Sequence, residues 1–304
     1  MSEPTVKGLA GFGLEVPDLA VAEKFYGTFG LDGARRGDAL YLRSPGRAHD
    51  EAVIVPGRAK RMHHLSFFIR PEDEEAFAAK LRKSGLQVGA APAGIERAGL
   101  WFQDPWGTWI NLYPAANAAA APAAPPPRGE RIDVHYWREL PRDTKPGRIG
   151  HLLLFTPDWE KAEAFFAAAL GLRTSDRVAG KIAFMAAGDG IVDHHCFGLI
   201  PSTHRGFQHA SFHVRDIDAI GFGVKKMREA GYRESFGPGR HALASNLFVY
   251  TRDPWGSWIE YYSDMDRISG AWQCREWNEL PYIWGPDWSP EFWGKEMNGN
   301  FEPK

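Results

Sequence analysis

The sequence predicts an α+β protein made of two tandem copies of one unit, and three matched stretches predict it. Gly11-Phe-Gly-Leu-Glu-Val-Pro17-Asp18 is echoed by His151-Leu-Leu-Leu-Phe-Thr-Pro157-Asp158, and His64-Leu-Ser-Phe-Phe-Ile-Arg70 by His209-Ala-Ser-Phe-His-Val-Arg215. Asp104-Pro-Trp-Gly-Thr-Trp-Ile-Asn111 is echoed by Asp253-Pro-Trp-Gly-Ser-Trp-Ile-Glu260. The paired positions Gly11/His151, His64/His209 and Asn111/Glu260 lie 140, 145 and 149 residues apart, a drift that small loop insertions produce.

The elements follow in chain order. In the first stretch of each copy an apolar run closes on Pro-Asp, which ends a strand and offers an N-cap. Ala22, Phe25 and Tyr26, and then Ala162, Phe165 and Phe166, recur at helical spacing, and Gly30 and Gly171 close those helices. The second stretches read as strands opening at His64 and His209, each followed by a helix that ends at Gly85 or Gly231. Helices are therefore expected near 18–30, 71–85, 158–170 and 216–231, giving each copy two modules of one strand, one helix and further strands. In Asp-Pro-Trp-Gly, proline presets φ and glycine tolerates positive φ, so each third stretch reads as a hairpin joining two strands.

These boundaries divide the chain into a first domain over 1–115, an Ala/Pro-rich linker over 116–147, a second domain over 148–265 and a tail over 266–304. The tail carries five of the 12 tryptophans, Trp272, Trp277, Trp284, Trp288 and Trp293, and is expected to pack over the second domain as a lid. Trp137-Arg-Glu-Leu-Pro141 and Trp277-Asn-Glu-Leu-Pro281 suggest that each copy ends in a similar docking segment.

Composition narrows the function class. Of 304 residues, 44% are hydrophobic and 24% charged, the usage of a globular chain with a large core. Lys and Arg (36) nearly cancel Asp and Glu (38), and no basic stripe stands out, so a nucleic-acid partner is not expected. No run reaches the roughly 18 apolar residues of a membrane span. Met1 to Leu9 lack the apolar core of a signal peptide, so a cytoplasmic protein with free thiols at Cys196 and Cys274 is expected.

The repeat makes the chain its own control. At the three aligned positions the first copy holds Gly11, His64 and Asn111, and the second holds His151, His209 and Glu260. Glycine offers no ligand and a neutral amide is a poor one, so the first set cannot hold a divalent metal. Two imidazoles and a carboxylate form the facial set associated with non-haem Fe(II) oxygen chemistry. Glu260 sits within Ser-Trp-Ile-Glu-Tyr-Tyr, an aromatic strand in which an ionised carboxylate is costly without a partner.

On these residues the chain resembles the vicinal oxygen chelate superfamily, and within it the two-domain type I extradiol ring-cleaving dioxygenases. The resemblance covers roughly residues 7–265 and implies, for each domain, two paired βαβββ modules forming an open mixed-sheet barrel. It implies Fe(II), less readily Mn(II), at His151, His209 and Glu260, a catechol-type substrate with O2, meta cleavage, and a homo-oligomer. His195 stands where these enzymes carry an acid/base histidine, and His241 and Tyr250 where they keep a substrate-binding pair. The chain departs from its relatives at Leu243 and Ala244, where several carry Asn-Asp, with Asn246 further on. Ser235-Phe-Gly-Pro238 lacks the arginine of relatives that cleave acid-bearing catechols, which favours an apolar substituent; Arg240 and Arg275 leave a charged one open. Two other readings of the same fold are a glyoxalase-type metal lyase or isomerase and a metal-free small-molecule binding protein. The empty first set and the group His195, His241 and Tyr250 count against the former, and the intact second set against the latter.

Overall fold

A computed structural model of the chain describes residues 3–115, 132–278 and 282–286. Most of the Ala/Pro stretch, Glu279 to Pro281, and Trp288 and Trp293 lie outside the described residues.

The first copy runs β1 (Gly8–Val16), α1 (Leu19–Phe29), β2 (Asp32–Arg36), β3 (Ala39–Arg43), β4 (Ala52–Pro56), β5 (Arg61–Ile69), α2 (Glu74–Lys83), β6 (Leu100–Gln103) and β7 (Trp109–Pro114). A single turn of helix, α3 (Tyr136–Glu139), precedes the second copy. That copy runs β8 (Arg148–Thr156), α4 (Trp159–Leu170), β9 (Arg173–Val178), β10 (Ile182–Ala186), β11 (Val192–Asp193), β12 (Phe197–Pro201), β13 (Gly206–His213), α5 (Ile217–Glu229), β14 (Ser235–His241), β15 (Leu247–Arg252) and β16 (Trp258–Ser263). The tail adds β17 (Arg267–Ile268), β18 (Arg275–Trp277) and β19 (Tyr282–Trp284).

Each copy forms one open mixed sheet. The first has seven strands in the order β2-β3-β4-β1-β5-β7-β6, and the second has ten in the order β18-β9-β10-β12-β8-β13-β16-β15-β14-β19. In both, the first strands of the two modules pair antiparallel at the centre, β1 with β5 and β8 with β13. The copies differ at one edge. Where the second has β14, the first has only an isolated bridge from Gly89 to Trp101.

All four expected helices form, three of them within two residues of their expected bounds; α2 begins at Glu74, three residues after the expected 71, because Pro71–Asp73 form a 3-10 turn ahead of it. Asp18 caps α1 as anticipated, accepting from the N–H groups of Ala20 and Val21 at 2.8 and 3.1 Å. Asp158, its match, makes no such bond; its carboxylate faces Lys161 at 3.5 Å instead. Gly30 and Gly171 end their helices at φ of +113° and +71°, where a side chain would be strained.

The tail meets the second sheet at both edges: β18 extends β9 in parallel, and β19 pairs with β14. Over the described residues, the Trp137/Trp277 echo does not extend to structure. Trp137 lies in helix α3 with the guanidinium of Arg138 5.2 Å from its ring centre, whereas Trp277 lies in β18, drawn into extended form by the free edge of β9.

One continuous apolar core joins the two copies. Phe29 stacks on Tyr261 at 3.9 Å and accepts its hydroxyl at 2.6 Å, Phe12 stacks on Phe207 at 5.4 Å, and Phe25 meets Tyr232 edge-on at 4.9 Å. Two ionic contacts, related by the repeat, flank this core. Lys60, between β4 and β5, donates to Asp253 and Ser257 of the second copy's hairpin turn. Arg205, between β12 and β13, donates to the Trp106 carbonyl and lies 3.5 Å from Asp104 in the first copy's turn. Each aspartate spends its other oxygen on turn N–H groups: Asp104 on Trp106 and Thr108, Asp253 on Trp255 and Ser257. Burial pushes the pKa of Lys60 down, and the Asp253 carboxylate opposes that shift. Lys60→Ala leaves a buried carboxylate uncompensated and is expected to cost about 3–5 kcal/mol in urea unfolding. Arg205→Ala, at a partly exposed pair, is expected to cost about 1 kcal/mol or less. Equal unfolding midpoints for Lys60→Ala and the unaltered chain would refute this role.

Candidate metal centre

The site is written into the register of the second sheet. Tyr250 stands opposite Glu260, Glu260 opposite Ser211, and Ser211 opposite His151, so one row crosses β15, β16, β13 and β8. His209 precedes Ser211 by two residues and therefore presents the same face. Gly150 supplies the clearance beside this row. A Cβ there would lie 2.1 Å from the Tyr262 hydroxyl, whose ring packs 5.2 Å from that of His151.

His151 Nε2 lies 2.9 Å and His209 Nε2 3.3 Å from the same oxygen of Glu260, and one donor atom from each of the three residues falls within 4.8 Å of the others. All three side chains are buried, Glu260 at 0% exposure. Burial pushes the Glu260 carboxyl up, but the two imidazoles beside it, His151 first and then His209, outweigh burial and keep the acid ionised. Burial likewise holds the His209 imidazole down, in the neutral form that a metal ligand requires. His209 Nε2 and Glu260 Oε1 complete no hydrogen bond with a described residue. Two imidazole nitrogens and a carboxylate oxygen converging, with orphaned atoms among them, at a buried site fit a divalent first-row metal.

The first copy shows the same row without the chemistry: Trp101 opposite Asn111, Asn111 opposite Ser66, Ser66 opposite Gly11. A Cβ at Gly11 would meet the Glu51 carbonyl oxygen at 2.4 Å, so no imidazole can stand there without moving the backbone. His64 is turned toward Gly13 and His63, with its Nδ1 2.8 Å from that of His63. Asn111 accepts from Arg97 at 2.9 Å, and the same guanidinium donates to the carbonyls of Asp50 and Ala10. A fixed organic cation thus stands against the position that matches Glu260, with its pKa pushed down by burial to about 10.

The remaining expected residues gather around the second row. His195 packs 4.5 Å from His151, ring to ring, and burial holds its pKa well below the usual value. His241 Nε2 lies 3.1 Å from the Tyr250 hydroxyl and 3.9 Å from Glu260 Oε1. Burial lowers the His241 pKa to about 4 and raises that of Tyr250 well above its usual value, so the imidazole is neutral and the phenol stays protonated. Beside these groups Phe184, Phe236, Phe248 and Trp258 form an apolar cluster apart from the main core. Arg240 is committed elsewhere, to Ser245 and Asp264. Three contributors were not anticipated: Ser211, which sits between His151 and Glu260 in the row, and Asp176 and His194, which lie behind His195. The identity of Ser211 with Ser66 was the available signal for the first; nothing local marks Asp176.

The Glyoxalase/Bleomycin resistance protein/Dioxygenase superfamily model matches residues 148–261, the copy that carries the donors. Metapyrocatechase 2 of Cupriavidus necator is 37% identical over 302 residues, covering 94% of this chain and 91% of its own. The chain belongs to the extradiol dioxygenases of this superfamily. A manganese-dependent 2,3-dihydroxybiphenyl 1,2-dioxygenase of Geobacillus genomosp. 3 is 26% identical, over 84% of this chain and 86% of that one. An iron-dependent extradiol dioxygenase of Rhodococcus jostii (strain RHA1) is 25% identical, over 83% and 86%. Membership of the extradiol dioxygenases therefore establishes a metal enzyme and leaves the ion to be assigned by chemistry.

Metal analysis after dialysis is expected to find about one divalent ion per chain. Glu260→Gln should weaken retention by more than the roughly 10–100-fold that loss of an outer partner costs. His64→Ala and Asn111→Ala should leave it unchanged. Full retention by Glu260→Gln would overturn the ligand set.

Proposed function

We propose that this extradiol dioxygenase opens the ring of a catechol-type substrate by meta cleavage, incorporating both atoms of O2, with Fe(II) held by His151, His209 and Glu260 and Mn(II) as the less favoured occupant. The observation that carries the reading is the grouping of His195, His241 and Tyr250 around the donor set in one copy alone. A bound divalent ion supplies acidification of a substrate hydroxyl and, if redox-active, a route for electrons from ring to oxygen.

The chain's own groups do the rest. Tyr250 and His241, 3.1 Å apart, form a hydrogen-bonding pair that orients a ring oxygen and so selects the carbon attacked. His195 takes a catechol proton and returns it later to an oxygen that stays in the ring-opened product. The apolar cluster of Phe184, Phe236, Phe248 and Trp258, together with the commitment of Arg240 to Ser245 and Asp264, favours a catechol with an uncharged substituent.

Anaerobic loading with Fe(II) or Mn(II), followed by air and a panel of alkyl-, aryl- and carboxyl-substituted catechols, tests the proposal. Yellow ring-opened product with one O2 consumed per catechol is expected, fastest with Fe(II) and an apolar substituent. His195→Phe should retain the metal and lose about 10²–10⁴-fold in kcat. No O2 uptake with any catechol would overturn the activity, and an unaltered kcat in His195→Phe would remove that residue from the chemistry.

A further inference from the structure

His195 does not stand alone. Its Nδ1 lies 3.1 Å from Nδ1 of His194, and His194 Nε2 lies 2.9 Å from Oδ2 of Asp176 in β9. The other oxygen of Asp176 accepts the backbone N–H of Arg275, at the start of β18, at 2.8 Å. All three side chains are buried. From these contacts we infer that Asp176 and His194 are positioning residues that fix the tautomer of His195, an inference that rests on the acid/base reading of His195.

The argument is a chain of donors and acceptors. A carboxylate only accepts, so the nitrogen of His194 facing Asp176 carries the hydrogen. When that is the single ring hydrogen of His194, its Nδ1 is a lone pair and His195 Nδ1 donates to it. That places the lone pair of His195 on Nε2, the nitrogen left to take a proton from substrate. With the order reversed, Nε2 of His195 would carry hydrogen and could not begin as a base.

The repeat again supplies a control. Leu153, Gly198, Phe184 and Asp176 stand in one cross-strand row, and Gly13, Val53, Tyr41 and Ala34 form the matching row of the first copy. Alanine thus occupies the place of Asp176. By the same match Asp50, three residues before Val53, occupies the place of His195, and it pairs with Arg36 and Arg43. The carboxylate and the acid/base histidine are both confined to the copy that carries the metal donors.

The tail braces this chain of contacts. Trp272 meets the His194 ring edge-on at 5.7 Å and donates its indole N–H to the Ser175 carbonyl at 2.9 Å. The N–H of His194 donates to the Asp266 carbonyl at 2.9 Å. Residues 266–277 therefore act as a support behind His195 as well as a cover for β9.

Nitrogen NMR of histidine-labelled protein, loaded with diamagnetic Zn(II), reads the tautomer without turnover. His195 in the unaltered chain should carry hydrogen on Nδ1, and in Asp176→Asn, whose amide can donate to His194, the tautomer should shift toward Nε2. In the iron enzyme, Asp176→Asn and His194→Phe should lower kcat about 10–100-fold with KM within about twofold and metal content unchanged, and Asp176→Glu should recover part of the loss. Hydrogen on Nε2 of His195 in the unaltered chain would overturn the inference even if every variant failed to fold. So would an unshifted spectrum in a folded Asp176→Asn protein, or an undiminished kcat in both variants. A failure of the acid/base reading would show separately, as full activity in His195→Phe.

Discussion

The second half of the molecule is organised around an ionised carboxylate that water does not reach. Glu260 sits mid-strand, flanked in sequence by Ile259 and Tyr261 of the core, and its cost of burial is met by two imidazoles on neighbouring strands. That requirement fixes much else. The parallel pairing of β13 with β16 and the antiparallel pairing of β8 with β13 must hold their register, since a one-residue slip would turn each donor to the opposite face. Gly150 must stay small so that Tyr262 can pack beside His151.

Much of this was legible in the sequence because the chain contains its own comparison. The spacing of Ala22, Phe25 and Tyr26 gave α1, and the Asp-Pro-Trp-Gly turns gave both hairpins. The contrast of Gly11, His64 and Asn111 with His151, His209 and Glu260 pointed to the three donors that the fold brings together. Asp158 shows where local pattern ran short: the residue is a good cap by type, but its φ and ψ of −112° and 58° leave it without a cap bond. Over its described residues the Trp137/Trp277 echo parts for a related reason, because the edge of β9 takes Trp277 into extended form while Trp137 lies in helix α3. Asp176 was illegible altogether, since its partners His194 and Arg275 lie 18 and 99 residues away and only sheet register joins them.

The first half is more than a discarded duplicate. Its row of Trp101, Asn111, Ser66 and Gly11 keeps the sheet geometry of the second while Arg97 binds Asn111 and the carbonyl of Asp50. A guanidinium there satisfies Asn111 and two carbonyls at once, which water or a small side chain could do only in part.

The crossed contact of Lys60 with Asp253 and Ser257 gives that silent half a mechanical office. Asp253 and Ser257 bracket the bend from which β16 departs, and Glu260 stands only three residues beyond Ser257. The strand that carries Glu260 is thus moored at its root by a lysine from the opposite copy. A change at Lys60 in the first half would therefore be felt at Glu260 in the second, although the two residues lie in different copies.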